Sequence, residues 1–101
     1  MSQIDKALSV LIVDDDELDR RLVEIILARA ASLVKFRFVS AQTITEALEK
    51  LGKDSFNIIL LDLNLPDSRG IETVQRIFEA APGIPIVVLT GLSDENMGLE
   101  G

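Results

Sequence analysis

The sequence predicts a doubly wound α/β fold, a parallel sheet with helices on both faces. Short apolar runs alternate with segments of helical spacing in the order β-α-β-α-β-α-β, followed by the start of one more helix. Three of the four strand runs are apolar almost throughout, as expected for strands buried on both faces. Each of those three ends on a polar cluster: Asp14-Asp15, Asp62 and Thr90.

The first run, Leu8 to Val13, is rich in β-branched residues and reads as a buried strand. Asp14-Asp15-Asp16-Glu17 follows, and its acidity suits the positive end of a helix dipole. Leu18, Leu22, Ile25, Ile26 and Arg29 mark helical spacing to about Ala30. Asp16 and Glu17 are assigned to the helix start, and Arg20 and Arg21 to a solvated helix face. Val34 to Val39 sets Val34, Phe36 and Phe38 against Lys35 and Arg37, the alternation of a half-exposed strand near an edge.

Thr43 and Glu46 form a capping box for a helix with Ile44, Ala47, Leu48 and Leu51 inward, ended by Gly52. Ile58 to Leu61 is the next buried strand. Asn64 to Gly70 is turn-rich. Ile71, Val74, Ile77 and Phe78 make a further amphipathic helix, closed by Pro82-Gly83. Ile84 to Leu89 is the last apolar run, with Pro85 near its start, where a missing N–H is tolerable. Ser93 suits the cap of a final helix.

A chain of 101 residues fits one domain, here residues 1–101, and 48% hydrophobic residues suffice for one core. The formal charge of −7 disfavours binding to phosphate backbones and to anionic membranes. With neither Cys nor His, disulfides, thiolate or imidazole metal sites and His-based catalysis are excluded. Any metal must be held by oxygen, which favours Mg²⁺, Ca²⁺ or Mn²⁺. Met1 to Lys6 has no apolar run behind a basic stretch, and no apolar run is long enough to span a bilayer. A cytoplasmic location is expected.

In an open parallel sheet, ligands bind outside the carboxyl ends of the strands. Asp14, Asp15, Asp62 and Thr90 should therefore converge on one crevice. Three carboxylates together are electrostatically costly. A hard divalent cation relieves the cost, and Mg²⁺ accepts one or two carboxylates while keeping its waters. A carboxylate beside such an ion can ligate it, or attack a phosphoryl group and become an aspartyl-phosphate. Phosphoryl transfer asks a protein chiefly for positioning and charge neutralisation, and the Thr90 hydroxyl suits a phosphoryl oxygen.

Val13-Asp14-Asp15, Leu61-Asp62-Leu63-Asn64-Leu65-Pro66 and Val88-Leu89-Thr90-Gly91, with Gly70 between them, resemble the signature of response-regulator receiver domains. The resemblance covers nearly the whole chain. It implies a flavodoxin-like (CheY-like) sheet of order 2-1-3-4 and a place in two-component signalling. Asp62 would take a phosphoryl group from the phosphohistidine of a histidine kinase or phosphotransfer protein. Asp15 would ligate Mg²⁺ directly and Asp14 mainly through water, with Asp62 itself and the Asn64 backbone carbonyl completing the protein ligands. Thr90 would contact the phosphoryl group as the switch hydroxyl. Small Gly91 would leave access to the site, and Pro66 and Gly70 would shape the loop after Asp62. The family is a phospho-acceptor rather than a conventional enzyme, with possible self-catalysed phosphotransfer and dephosphorylation.

Members of the family continue into a fifth strand, a Lys at its end and a fifth helix. Here Lys6, Lys35, Lys50 and Lys53 all precede Thr90. The expectation is a C-terminally incomplete domain whose fourth strand is an exposed edge, open to homodimer formation by edge pairing or segment exchange. Two other readings use the same residues. One is a receiver-like interaction module that never takes up phosphate. The other is a phosphatase of the haloacid-dehalogenase type, which is disfavoured. That type carries its nucleophile on the first strand, followed by Asp-x-Asp, whereas Asp62 is on the third and is followed by Leu63-Asn64.

Overall fold

The computed structural model describes residues 7–89. Its elements are β1 (Leu8–Val13), α1 (Glu17–Ala30), β2 (Phe36–Ala41), α2 (Ile44–Lys53), β3 (Ile58–Leu61), β4 (Asn64–Leu65), β5 (Ser68–Arg69), α3 (Ile71–Ala80) and β6 (Ile86–Val88). Four strands form a parallel sheet in the order β2-β1-β3-β6, the predicted order with β6 as its fourth strand. Among the described residues no helix is long and apolar enough to cross a membrane.

β1 is central, and Val10, Leu11, Ile12 and Val13 are fully buried. Side chains on a strand alternate between faces, so this run feeds two cores. Leu11 and Val13 join Ile59 and Leu61 under α2 and α3, with Ile44, Ala47 and Ile77 from the helices. Val10 and Ile12 join Leu60 and Val23 of α1, flanked by Leu27, Phe36 and Phe38. Each buried Leu or Ile contributes roughly 1.5–3 kcal/mol of transfer free energy, so β1 anchors both layers.

Several boundaries differ from those the sequence suggests. β2 begins at Phe36 rather than Val34, and β6 covers Ile86–Val88 only. Pro85 lies just outside β6, where its carbonyl accepts from Ile59 N–H at 3.0 Å. α2 runs through Gly52 to Lys53, and Asp54 N–H closes it onto the Lys50 carbonyl, so no left-handed residue is needed. In α3 the buried residues are Thr73 and Ile77, whereas Ile71 and Phe78 are 70% and 54% exposed. Thr73 turns inward because its hydroxyl shares a 2.7 Å hydrogen bond with that of Ser68. The segment read as turn-rich holds a short antiparallel ribbon, Asn64 opposite Arg69 and Leu65 opposite Ser68. Gly70 follows it with φ +70°, a conformation that suits glycine alone. On α1, Leu18, Leu22, Ile25 and Ile26 are exposed while Val23 faces the sheet.

Candidate metal and phosphoryl site

The carboxyl ends of β1 and β3 lie side by side, with Val13 paired to Leu61. Asp62 N–H donates to the Val13 carbonyl at 2.9 Å, and Asp14 N–H to the Ala41 carbonyl at 2.9 Å. The sheet ladder thus continues one residue past each strand and sets Asp14 and Asp62 next to each other. Carboxylate oxygens of Asp14, Asp15 and Asp62 lie within 4.8 Å of one another. Asp14 is buried, Asp62 half-buried and Asp15 exposed. The cluster therefore has a dry floor and an open side.

Hydrogen bonds orient the two inner carboxylates. Asp14 Oδ1 accepts from Asp16 N–H at 3.0 Å, and Asp62 Oδ1 from Asn64 N–H at 3.2 Å. Asp16 caps α1 by accepting from Leu18 and Asp19 N–H, which leaves it serving the helix. Arg20 is not a solvated side chain: its guanidinium donates to the Asp14 carbonyl at 2.6 Å. It thereby ties α1 to the loop that carries the acidic pair. Arg21 does face solvent, 3.9 Å from Glu17. Among the described residues no Lys or Arg forms an ion pair with Asp14, Asp15 or Asp62.

The electrostatics follow. Burial pushes the Asp14 carboxyl up to about 6; the charges of Asp62, Asp19 and Asp15 add to this, and the Asp16 N–H opposes it. Burial also raises Asp62, helped by the Asp15 charge and opposed by the Asn64 N–H. Two unit charges 4.8 Å apart repel by roughly 3 kcal/mol at an effective dielectric near 20. An all-oxygen donor set with an unneutralised charge fits a hard divalent cation, and Mg²⁺ would fit with one or two of the carboxylates as direct ligands and water for the rest.

Asn64 opens β4 next to Asp62. Pro66 stands in the ribbon's turn and Gly70 at the start of α3. Thr90, Gly91 and Ser93 lie outside the described residues. Two residues near the site escape a reading by sequence. One is Arg20, whose position six residues after Asp14 was the available signal. The other is Asp67, whose partners lie 22 and 23 residues away.

The family model for the response regulator receiver domain matches residues 10–101. The response regulator protein PilR of Pseudomonas aeruginosa is 39% identical over 80 residues, 79% of this chain. The chain spans 17% of PilR's length. Among solved structures, the chemotaxis response regulator CheY4 of Vibrio cholerae superposes with a TM-score of 0.70 at 30% identity, covering 92% of this chain and 77% of that one. The receiver domain of the sensor histidine kinase PA1611 from Pseudomonas aeruginosa PAO1 shares the fold, with a TM-score of 0.68 at 21% identity over 90% of this chain and 75% of its own. That structure is described with a magnesium ion coordinated in its active site cleft. The phosphatase alternative falls with these matches, and the chain belongs to the response-regulator receiver domain family of two-component signalling.

Proposed function

We propose that Asp62 is the phospho-acceptor of this receiver domain and that Asp14, Asp15, Asp62 and the Asn64 carbonyl hold Mg²⁺. The observation that supports this most directly is the meeting of three carboxylates within 4.8 Å at the carboxyl edge of the sheet, with no cationic partner among the described residues. When bound, Mg²⁺ supplies the charge neutralisation that lets an anionic nucleophile approach an anionic phosphoryl group.

The chain's own residues do the rest. Asn64 N–H holds one Asp62 oxygen at 3.2 Å, which leaves the other free to attack. A bond forms from that oxygen to phosphorus as the bond from phosphorus to the donor's histidine nitrogen breaks. The electron pair of that bond leaves with the imidazole. The Thr90 hydroxyl then donates to a phosphoryl oxygen. The partners on this reading are a histidine kinase or a phosphotransfer protein in the cytoplasm. Self-catalysed transfer from a small phosphodonor, and later hydrolysis by water, belong to the same reading.

The test is intact-mass spectrometry after incubation with a small acyl phosphate and Mg²⁺. An adduct of about 80 Da, one phosphoryl group, should form on the wild-type chain and be lost in Asp62→Asn and in chelator. An unmodified wild-type chain, or an adduct that survives Asp62→Asn, would overturn the assignment.

A further inference from the structure

Asp67 stands at the tip of the β4–β5 ribbon and commits both oxygens to α2. Its Oδ1 accepts from Ile44 N–H at 2.9 Å. Its Oδ2 accepts from Thr45 N–H at 3.1 Å and from the Thr45 hydroxyl at 2.9 Å. Ile44 and Thr45 are the first two residues of α2, whose N–H groups have no partner inside the helix. The next such N–H, that of Glu46, goes to Thr43 Oγ1 at 3.0 Å. One end of α2 is therefore capped twice, once by its own sequence and once by the loop that follows Asp62.

The ribbon needs that anchor. It has two residues per strand, joined by Pro66-Asp67. Two-residue hairpins favour primed turns, whose first central residue has positive φ. Proline cannot adopt it, and no non-glycine residue among those described does. Without a turn that matches the strand twist, so short a ribbon is marginal. Buried Leu65 and the 3.0 Å bond from Gly70 N–H to the Leu63 carbonyl hold its base. Asp67 holds its tip. Asn64, whose N–H reaches the acceptor carboxylate, stands in the same β4 strand, beside Leu65 and three residues before Asp67.

We propose that Asp67 is a positioning residue for the metal and phosphoryl site: by tying the ribbon tip to the N-terminus of α2, it holds Asn64 against Asp62 and its carbonyl at the Mg²⁺ position. The second half of that statement rests on the Asn64 ligand assignment above; the first half stands on the hydrogen bonds alone.

The experiment compares Asp67→Ala with Thr43→Ala in the full chain. Both remove a cap from the same helix end, but only the first releases the ribbon. Amide hydrogen exchange without metal and calorimetric titration with Mg²⁺ are the readouts. Asp67→Ala should speed exchange at Asn64 about tenfold, as expected when a local tether is lost, and weaken Mg²⁺ binding by roughly fivefold. Thr43→Ala should change neither. Asp67→Asn, which keeps one acceptor oxygen, should fall between, and it carries the test if the alanine variant does not fold. Equal effects in Asp67→Ala and Thr43→Ala, or unchanged Asn64 exchange in Asp67→Ala, would sink the proposal. A wild-type chain that takes up no Mg²⁺ overturns the carbonyl assignment, while the exchange data still decide the tether.

Discussion

Asp14 and Asp67 share a side chain and lie at the same end of the sheet, yet the protein shifts their acidities in opposite directions. Around Asp14, burial and like charges favour the proton. Around Asp67, the hydrogen bonds from Ile44 and Thr45 outweigh the cost of desolvation and hold the carboxyl below its ordinary value. The difference lies in what faces each carboxylate. Asp67 meets N–H groups at the positive end of a helix dipole, so its charge strengthens the fold. Asp14 meets Asp62 and Asp15, so its charge weakens the fold until a cation arrives. The comparison separates carboxylates kept for structure from carboxylates poised for a ligand.

The largest expected effect breaks the poised side. Asp62→Asn should abolish phosphoryl uptake, a loss of at least about a hundredfold, while circular dichroism shows the fold retained. The residual signal in intact-mass spectra checks it.

Next is the stability cost of Asp14. The folded chain keeps this proton up to about pH 6, whereas an unperturbed carboxyl releases it near 3.8. Between those values unfolding releases a proton, so metal-free stability falls as pH rises, by up to about 3 kcal/mol in total. Asp14→Asn should be more stable than wild type above pH 6 by up to that amount, and no more stable below pH 4. Urea unfolding in chelator at several pH values measures it. Millimolar Mg²⁺ should erase the advantage, because the variant loses a ligand that the ion needs.

On the structural side the sign reverses. Asp67 stabilises the chain above its ordinary pKa, and that contribution is lost as pH falls through the lowered value. Asp67→Ala should cost about 1 kcal/mol at neutral pH, a typical capping loss, and less in acid. The same unfolding series checks it. The smallest effect belongs to Asp54. It is held low by Ser55 N–H and by Arg37 at 2.9 Å, but the pair is half exposed. Exposed ion pairs contribute little, so Asp54→Ala should leave the unfolding midpoint unchanged.

Much of this was legible in advance because it is written locally. Leu8 to Val13 and Ile58 to Leu61 are apolar enough to declare buried strands, and Asp14, Asp15 and Asp62 follow them directly. The capping box at Thr43 and Glu46 also has a local signature, although Glu46 accepts from Gln42 N–H rather than from Thr43. What escaped depends on distant partners. Arg20 looks like a surface residue until the loop after β1 turns its Asp14 carbonyl toward α1. Asp67 looks like a turn former until β2 and β3 bring the start of α2 beside the ribbon. Thr73 looks polar and outward until Ser68 comes within 2.7 Å of it.

By itself, the sequence determined the alternation of strands and helices, the oxygen-only chemistry and the placing of the site carboxylates directly after apolar runs, Asp14 and Asp15 after Val13 and Asp62 after Leu61. These follow from periodicity and composition, which act over a few residues. Only the tertiary structure decided that Asp14 is buried, Asp62 half-buried and Asp15 exposed, and that Asp67 caps a helix from another part of the chain. The reason is register. Pairing Val13 with Leu61 puts the two carboxylates side by side, and a slip of one residue would turn them to opposite faces. That pairing is selected by the two buried cores on either side of β1, a global property that no short stretch of sequence contains.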